Sequence, residues 1–461
     1  MKRLFTLIAL LALGTALLPA QSADGVITSK MLKNFRKVHA ETTPPGLGNA
    51  IANNTNINDM AKNNARAGQI DPYFAVKLDV KGITNQKSTG RCWLFTGLNV
   101  IRQQVRGKFN IDKFEFSQNY NFFYDQLEKS NLFLEGVIES RAKAWDTQIV
   151  KFLFKNAVSD GGVWNMMVDN VQKYGVVPKE IMPDTKHGAA TGTMSRKVRT
   201  KLREDGLRLR QMHQAGKKEK DLRKAKEKML TEIYRMLAIH LGEPPVEFTW
   251  RYKDKDKKIS APKTYTPQAF FKEVVDVNLN DYVMMMNDPT RPFDKYYEID
   301  RYRNLQEGIN WNYVNLSNAE LKAMAKKSLL AGEAMYFSCD VGKQMDRKAG
   351  ILDAEAYDYD ALYGVKFGMD KAERITVGES GSSHGMTLVG VDTLADGSTT
   401  KWLLENSWGP SSGHKGYLIM TDKWFDEYGF RLVVQKKFIT PKVRKLISTK
   451  PELLPPWDPM F

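Results

Sequence analysis

Cysteine is almost missing from this chain. Only Cys92 and Cys339 occur in 461 residues, so no disulfide framework can hold the fold together. Histidine is scarce too, with six residues. His187, His213, His240 and His414 lack the spacing of a metal-ligand set. Gly378-Glu379-Ser380-Gly381-Ser382-Ser383 is not a phosphate loop, because no Lys-Ser/Thr pair follows it in a strand-turn-helix setting. No cofactor and no metal is therefore implied. Internal repeats and low-complexity tracts are lacking. So is any apolar run after the first twenty or so residues that approaches the ~20 residues of a membrane span.

The N-terminus reads as a targeting segment. Lys2 and Arg3 precede an apolar stretch from Leu4 to Leu18, and Ala20-Gln21-Ser22 offers small residues where a signal peptidase cuts. Residues 1–22 are thus expected to be a signal peptide. The mature chain is expected to be exported, to a bacterial periplasm or the extracellular space, with no membrane span. Export normally invites disulfides. A nucleophilic Cys92 has to stay free, however. Cys339 sits in the strand-like run Ala334 to Val341 and reads as a small buried thiol.

The formal charge is +16. Much of the excess lies between Arg196 and Lys228, at helical periodicity, without aromatic interleaving or an RNA-binding signature. A nucleic-acid partner is left open by the charge but indicated by no motif. A helical insertion with a solvated face explains the stretch, and a basic surface attracts acidic partners or substrates.

Periodicity orders the chain as α+β, with helices early and strands late. Asn49 to Ala67 reads as extended or partly helical, and Val76 to Val80 alternates like a strand. Cys92 to Arg106 is helical, with Leu94, Leu98, Ile101 and Val105 on one face. Ser117 opens an aromatic-rich helix. Asp160 to Trp164 is a turn, and a helix follows that Gly175 ends. Thr266-Pro267 starts another helix. Strands are expected at 282–286, 335–341, 386–391, 401–405, 416–420 and 431–437. The expected parts are a helical lobe with Cys92 in 23–184, the charged helical insertion in 185–241, and a β-rich lobe with His384, Asn406 and a C-terminal arm in 242–461.

The chemistry centres on Cys92. It lies in Asn85-Gln86-Lys87-Ser88-Thr89-Gly90-Arg91-Cys92-Trp93, with Gln86 six residues before it. A thiol that opens a helix meets unpaired N–H groups and the positive dipole end, which favour the thiolate. His384, in Ser382-Ser383-His384-Gly385-Met386, can take the proton. Asn406, in Glu405-Asn406-Ser407-Trp408-Gly409, can hold the other ring nitrogen. Gln86 and the Cys92 backbone N–H can serve as oxyanion donors. Trp408 can cover the His–Asn pair. Taken singly, a core cysteine, a structural histidine and an Asn-Ser-Trp-Gly turn explain each word. Together, and in this order, they describe a papain-type thiol hydrolase that works through a thioester acyl-enzyme.

The chain also resembles the bleomycin hydrolase and aminopeptidase C family of papain-like cysteine peptidases. The words around Cys92, His384 and Asn406 carry this, with Asp160-Gly161-Gly162-Val163-Trp164, Lys173-Tyr174-Gly175-Val176-Val177-Pro178 and Cys339-Asp340-Val341-Gly342-Lys343. Gly416 to Asp422 and Trp457-Asp458-Pro459-Met460 extend it. The resemblance implies a two-lobed papain-like fold with a helical insertion, a homohexamer with inward-facing sites, and removal of N-terminal residues from peptides. In the family the C-terminal arm lies in the cleft, and its carboxylate holds the substrate's amino group.

Two departures are visible. Relatives are cytosolic, whereas this chain has an export signal. Trp457-Asp458-Pro459-Met460 is followed only by Phe461. At about 3.3–3.6 Å per residue, a shorter arm leaves the carboxylate short of its usual place. The alternative expectation is therefore an endopeptidase or oligopeptidase with an opened cleft. A binding or assembly protein on the same fold, and a transferase using an amine acceptor, are further alternatives.

Overall fold

A computed structural model describes residues 25–53, 56–66 and 68–461; the expected signal peptide lies outside them. Two compact units result. The smaller takes in the described residues up to Lys62 together with Asp358–Phe367, and the larger comprises Asn63–Tyr357 and Gly368–Phe461. In the smaller unit, Thr28 caps the helix Ser29–Thr42 by accepting the Met31 N–H. Nearby, the Tyr359 hydroxyl meets Asn58 Oδ1 at 2.6 Å.

The larger unit is α+β, and its chemistry-bearing residues lie where helix meets sheet. The Cys92 helix runs Cys92–Lys108 and is buried on nearly every side through Leu98, Ile101 and Val105. The expected stripe is there, but Trp93, Phe95 and Val100 are buried as well. Ser117 caps the next helix, Gln118–Glu139, by accepting the Tyr120 N–H. The helix Trp164–Tyr174 stops at Gly175, whose φ of 74° suits glycine.

The charged stretch forms two helices, Gly192–Gln214 and Glu219–Leu241. Val198, Leu202, Leu209, Leu222, Ile233 and Leu237 are buried in the same core as the Cys92 helix. Most of the charges therefore occupy the outer face, as an amphipathic pattern requires, though Asp205 and Arg210 are buried.

Among the described residues, twelve strands form one sheet. At its centre the strand Met335–Cys339 lies between Gly429–Gln435 and the His384 strand, His384–Thr393, both antiparallel to it. The His384 strand also pairs antiparallel with Thr399–Glu405. The early strand is shorter than expected and spans only Val76–Lys77. The Leu78 N–H still reaches Val389 O, but the Val80 N–H turns back to Leu78 O and breaks the ladder. The helix after Thr266 is also short. It runs Pro267–Phe270, then widens into a π-turn that ends at Asp276 with φ 55°.

Two hydrophobic cores flank the site. One holds Trp93, Leu94, Leu98 and Tyr336. The other holds Phe337, Met386, Leu388 and Leu404.

Candidate active site

Sheet register brings together what the sequence scatters. His384 opens its strand, and Asn406 follows directly after Glu405 at the end of the neighbouring strand. Thr387 pairs with Glu405, so the two ends lie side by side. His384 Nε2 lies 2.8 Å from Asn406 Oδ1. The same oxygen accepts the Ser407 backbone N–H at 2.8 Å. A doubly accepting oxygen makes His384 Nε2 the donor and leaves Nδ1 for the thiol. Trp408 stacks on the imidazole, with ring centroids 4.8 Å apart and an interplanar angle of 30°. Its ring also carries the Arg347 guanidinium, 4.7 Å from the centroid.

Cys92 is the first residue of its helix and is partly accessible. Burial works to raise its pKa. The His384 charge, the His384 hydrogen bond and the Gly385 and Trp93 backbone N–H groups outweigh burial, so the thiol is held below its ordinary value. His384 moves the opposite way. Burial lowers it, but the Cys92 charge and the bonds to Cys92 and Asn406 leave it above the usual imidazole value. Opposite shifts on two touching groups favour a thiolate–imidazolium pair. Cys339 differs sharply. Burial, then the Asp340 and Cys92 charges, push it well above the thiol range.

Gln86 is buried beside them. Its Nε2 donates to Thr89 O at 2.7 Å, its Oε1 accepts from Ser407 Oγ at 2.7 Å, and its backbone N–H donates to Ser407 O at 2.8 Å. The amide is thereby fixed at the rim of the cleft that Cys92 and His384 also line. One amide hydrogen is used on Thr89, and the second remains for a ligand. Gln86, Cys92 and His384 thus line one cleft, and the buried Asn406 stands behind His384.

That cleft has a volume of about 580 Å³. Gly162 forms part of its wall against the flat of the Trp93 indole. A Cβ on Gly162 would stand 2.6 Å from Trp93 Cε2. Trp93 is held in turn by its Nε1–H on Asp160 O at 2.8 Å. Phe461 also lines it, stacked on Tyr302 at 4.4 Å and edge-on to Phe152 at 5.0 Å. Asp458 fixes that segment. It accepts the Met460 N–H at 2.9 Å and pairs with Arg291 at 2.8 Å.

Sequence reasoning missed the residues that brace the site. Arg102, on the Cys92 helix, pairs with Glu405 at 2.5 Å, and both side chains are fully buried. Arg102 also donates to Gly82 O at 2.6 Å. The ion pair ties the thiol-bearing helix to the residue before Asn406. Burial still raises the Glu405 carboxyl despite the neighbouring Arg102 charge. Only charged residues inside otherwise apolar runs hinted at this pair. Among the described residues, no group of three or more His, Cys, Asp or Glu is arranged to hold a metal ion. No helix among them is long and apolar enough to cross a membrane.

Comparison with known proteins agrees with this architecture. The model of the Peptidase C1-like family matches residues 26–461. Aminopeptidase G of Lactobacillus delbrueckii subsp. lactis is 42% identical over 400 residues, covering 87% of this chain and 91% of its own length. Bleomycin hydrolase of Homo sapiens is 39% identical over 451 residues, covering 95% and 99%. The crystal structure of PepW from Lactobacillus rhamnosis HN001 superposes with a TM-score of 0.91 at 40% identity, covering 95% of this chain and 99% of that one. The chain therefore belongs to the Peptidase C1-like family, within the group of bleomycin hydrolases and aminopeptidases C, and is a cysteine-type peptidase with a papain-like α+β fold.

Proposed function

We propose that Cys92 is the nucleophile, His384 its proton partner, Asn406 the orienter and Gln86 an oxyanion donor in hydrolysis at peptide N-termini. The observation that carries this is the single line of contacts from Cys92 through His384 to Asn406 Oδ1, with opposite pKa shifts on thiol and imidazole. The thiolate adds to the peptide carbonyl. The negative oxygen that develops faces the Gln86 amide and the helix-start N–H of Cys92. Imidazolium then gives its proton to the leaving amine, and a thioester remains. The ring next takes a proton from water, which attacks the thioester and frees the acid and the thiol.

The names of the relatives support an aminopeptidase, and Phe461 in the cleft gives that reading a physical basis. A side chain seated there can limit how much chain a substrate places on the N-terminal side of the scissile bond. Digesting an N-acetylated peptide beside its free-amine twin tests this. Cleavage of the free amine alone supports the aminopeptidase. Equal cleavage of both supports the alternative of an oligopeptidase or endopeptidase with an opened cleft.

The proposal extends to an exported, oligomeric enzyme. The basic and apolar pattern of residues 2–22 supports export, and the family resemblance supports a hexamer. Sequencing the N-terminus of the mature protein and weighing the native assembly test these two points.

A further inference from the structure

A guanidinium, an indole and an imidazole meet at the edge of the site. The Arg347 guanidinium lies 4.7 Å from the Trp408 ring centroid, and Trp408 lies 4.8 Å from the His384 ring. His384 is buried, Trp408 is half-buried and Arg347 is exposed. The three thus lead from the reacting groups to the surface. Burial lowers the His384 imidazolium, Cys92 and Asn406 raise it, and the Arg347 charge is near enough to lower it too.

The backbone under Arg347 is fixed. Arg347 lies in the turn between the short strands Met345–Asp346 and Ile351–Leu352. Asp346 Oδ1 accepts the Ala349 N–H at 3.0 Å, and Asp346 O accepts the Gly350 N–H at 2.9 Å. Gly350 has φ 73° and packs so closely on the 413–414 backbone that a Cβ would stand 2.4 Å from His414 N. Its carbonyl accepts the Ile419 N–H at 2.9 Å. The turn is therefore tied to the chain that follows Trp408.

A guanidinium over an aromatic face keeps its N–H donors at its edge, in the fork that matches a carboxylate. Among the described residues, no hydrogen bond or ion pair engages that fork. The charged neighbours on the turn and on the loop it packs against are Asp346, Lys348, His414 and Lys415. Lys343 pairs with Glu379 at 2.5 Å, and Asp353 with Arg66 at 2.7 Å. Phe461 lines the cleft, whereas neither Trp408 nor Arg347 is among the residues lining it.

On the proposed function, Phe461 meets the N-terminal side of the substrate. The leaving amine takes its proton from His384, so the C-terminal side of the substrate runs on past His384 and its Trp408 cover. An extended residue spans about 3.3–3.6 Å. A carboxylate one to three residues beyond the scissile bond therefore covers the two steps to Arg347.

We infer that Arg347 binds a carboxylate on the leaving part of the substrate and so favours short peptides with a free C-terminus or an acidic residue just after the cleaved bond. The inference rests on the peptidase reading of Cys92.

The test uses the full chain and compares kcat/KM for leucine release. One arm sets leucyl-alanine and leucyl-alanyl-alanine beside their C-terminal amides. The other sets the amide of leucyl-aspartic acid beside that of leucyl-asparagine. The charged member of at least one pair is expected to lead by about three- to fivefold, the scale of an exposed ion pair. The first arm identifies a terminal carboxylate, the second a side-chain one. Arg347→Gln is expected to bring the ratio close to one, and Arg347→Glu to bring it below one. Loss of packing on Trp408 affects both members of a pair and cancels in the ratio. Equal rates within every pair overturn the inference, as does a wild-type preference for the uncharged members or a ratio that neither variant moves. Hydrolysis of a leucyl fluorogenic amide keeps the peptidase reading intact in those cases. If that amide is not cut and Cys92 resists alkylation, the peptidase reading falls and takes the inference with it.

Discussion

Asn406 Oδ1 serves two donors at once, His384 Nε2 and the Ser407 N–H, each at 2.8 Å. The backbone bond fixes the amide, and the fixed amide fixes the ring. Asn406→Ala removes the orienter without touching the thiol. We expect kcat/KM to fall by about 100-fold, within the range that general acid–base catalysis contributes, with KM nearly unchanged. Steady-state kinetics on one aminoacyl amide checks this, and an unchanged kcat would remove Asn406 from the mechanism.

The coupled shifts at Cys92 and His384 fix the pH profile. Thiolate is present above the lowered Cys92 pKa, and imidazolium is present below the raised His384 pKa. kcat/KM should therefore rise through the first and fall through the second, as two macroscopic steps of one pair. Iodoacetamide should modify Cys92 below the ordinary thiol pKa of about 8.5 and leave Cys339 untouched. Mass mapping of the alkylated peptides at pH 6 decides. Equal labelling of both thiols contradicts the paired state.

Gln86 is held at both ends of its amide, so it cannot swing to replace a lost contact. Gln86→Ala should lower kcat by about 10²–10³ through the missing oxyanion donor. Thermal stability should change little beside that. A variant with normal kcat would mean that the Gln86 amide does not face the oxyanion.

Arg102→Met strips the counter-charge from the buried Glu405. Leaving one partner of a buried pair alone costs about 3–5 kcal/mol. The double variant Arg102→Met/Glu405→Leu should recover most of that loss. Urea denaturation of both measures it, and a double variant as unstable as the single would assign the cost to packing.

Legibility in the sequence followed distance along the chain. Cys92 and Gln86 sit in one short word, so local pattern sufficed to link them. His384 and Asn406 were accessible because both stand at strand ends, and adjacent antiparallel strands place such ends together. Arg102 and Glu405 are 303 positions apart, and each looks like a surface charge until the fold buries it. The Val76 strand was overcalled because alternation continues to Val80, whereas the Val80 N–H bonds locally.

The thiol and the imidazole lean on different cores. Trp93 and Leu94, next to Cys92, belong to one, while Met386 and Leu388, on the His384 strand, belong to the other. Hydrolysis thus reports on a seam. Loosening that seam by a fraction of a bond length would silence the enzyme while both cores kept their helices and strands. On heating, activity should vanish at a lower temperature than far-UV ellipticity.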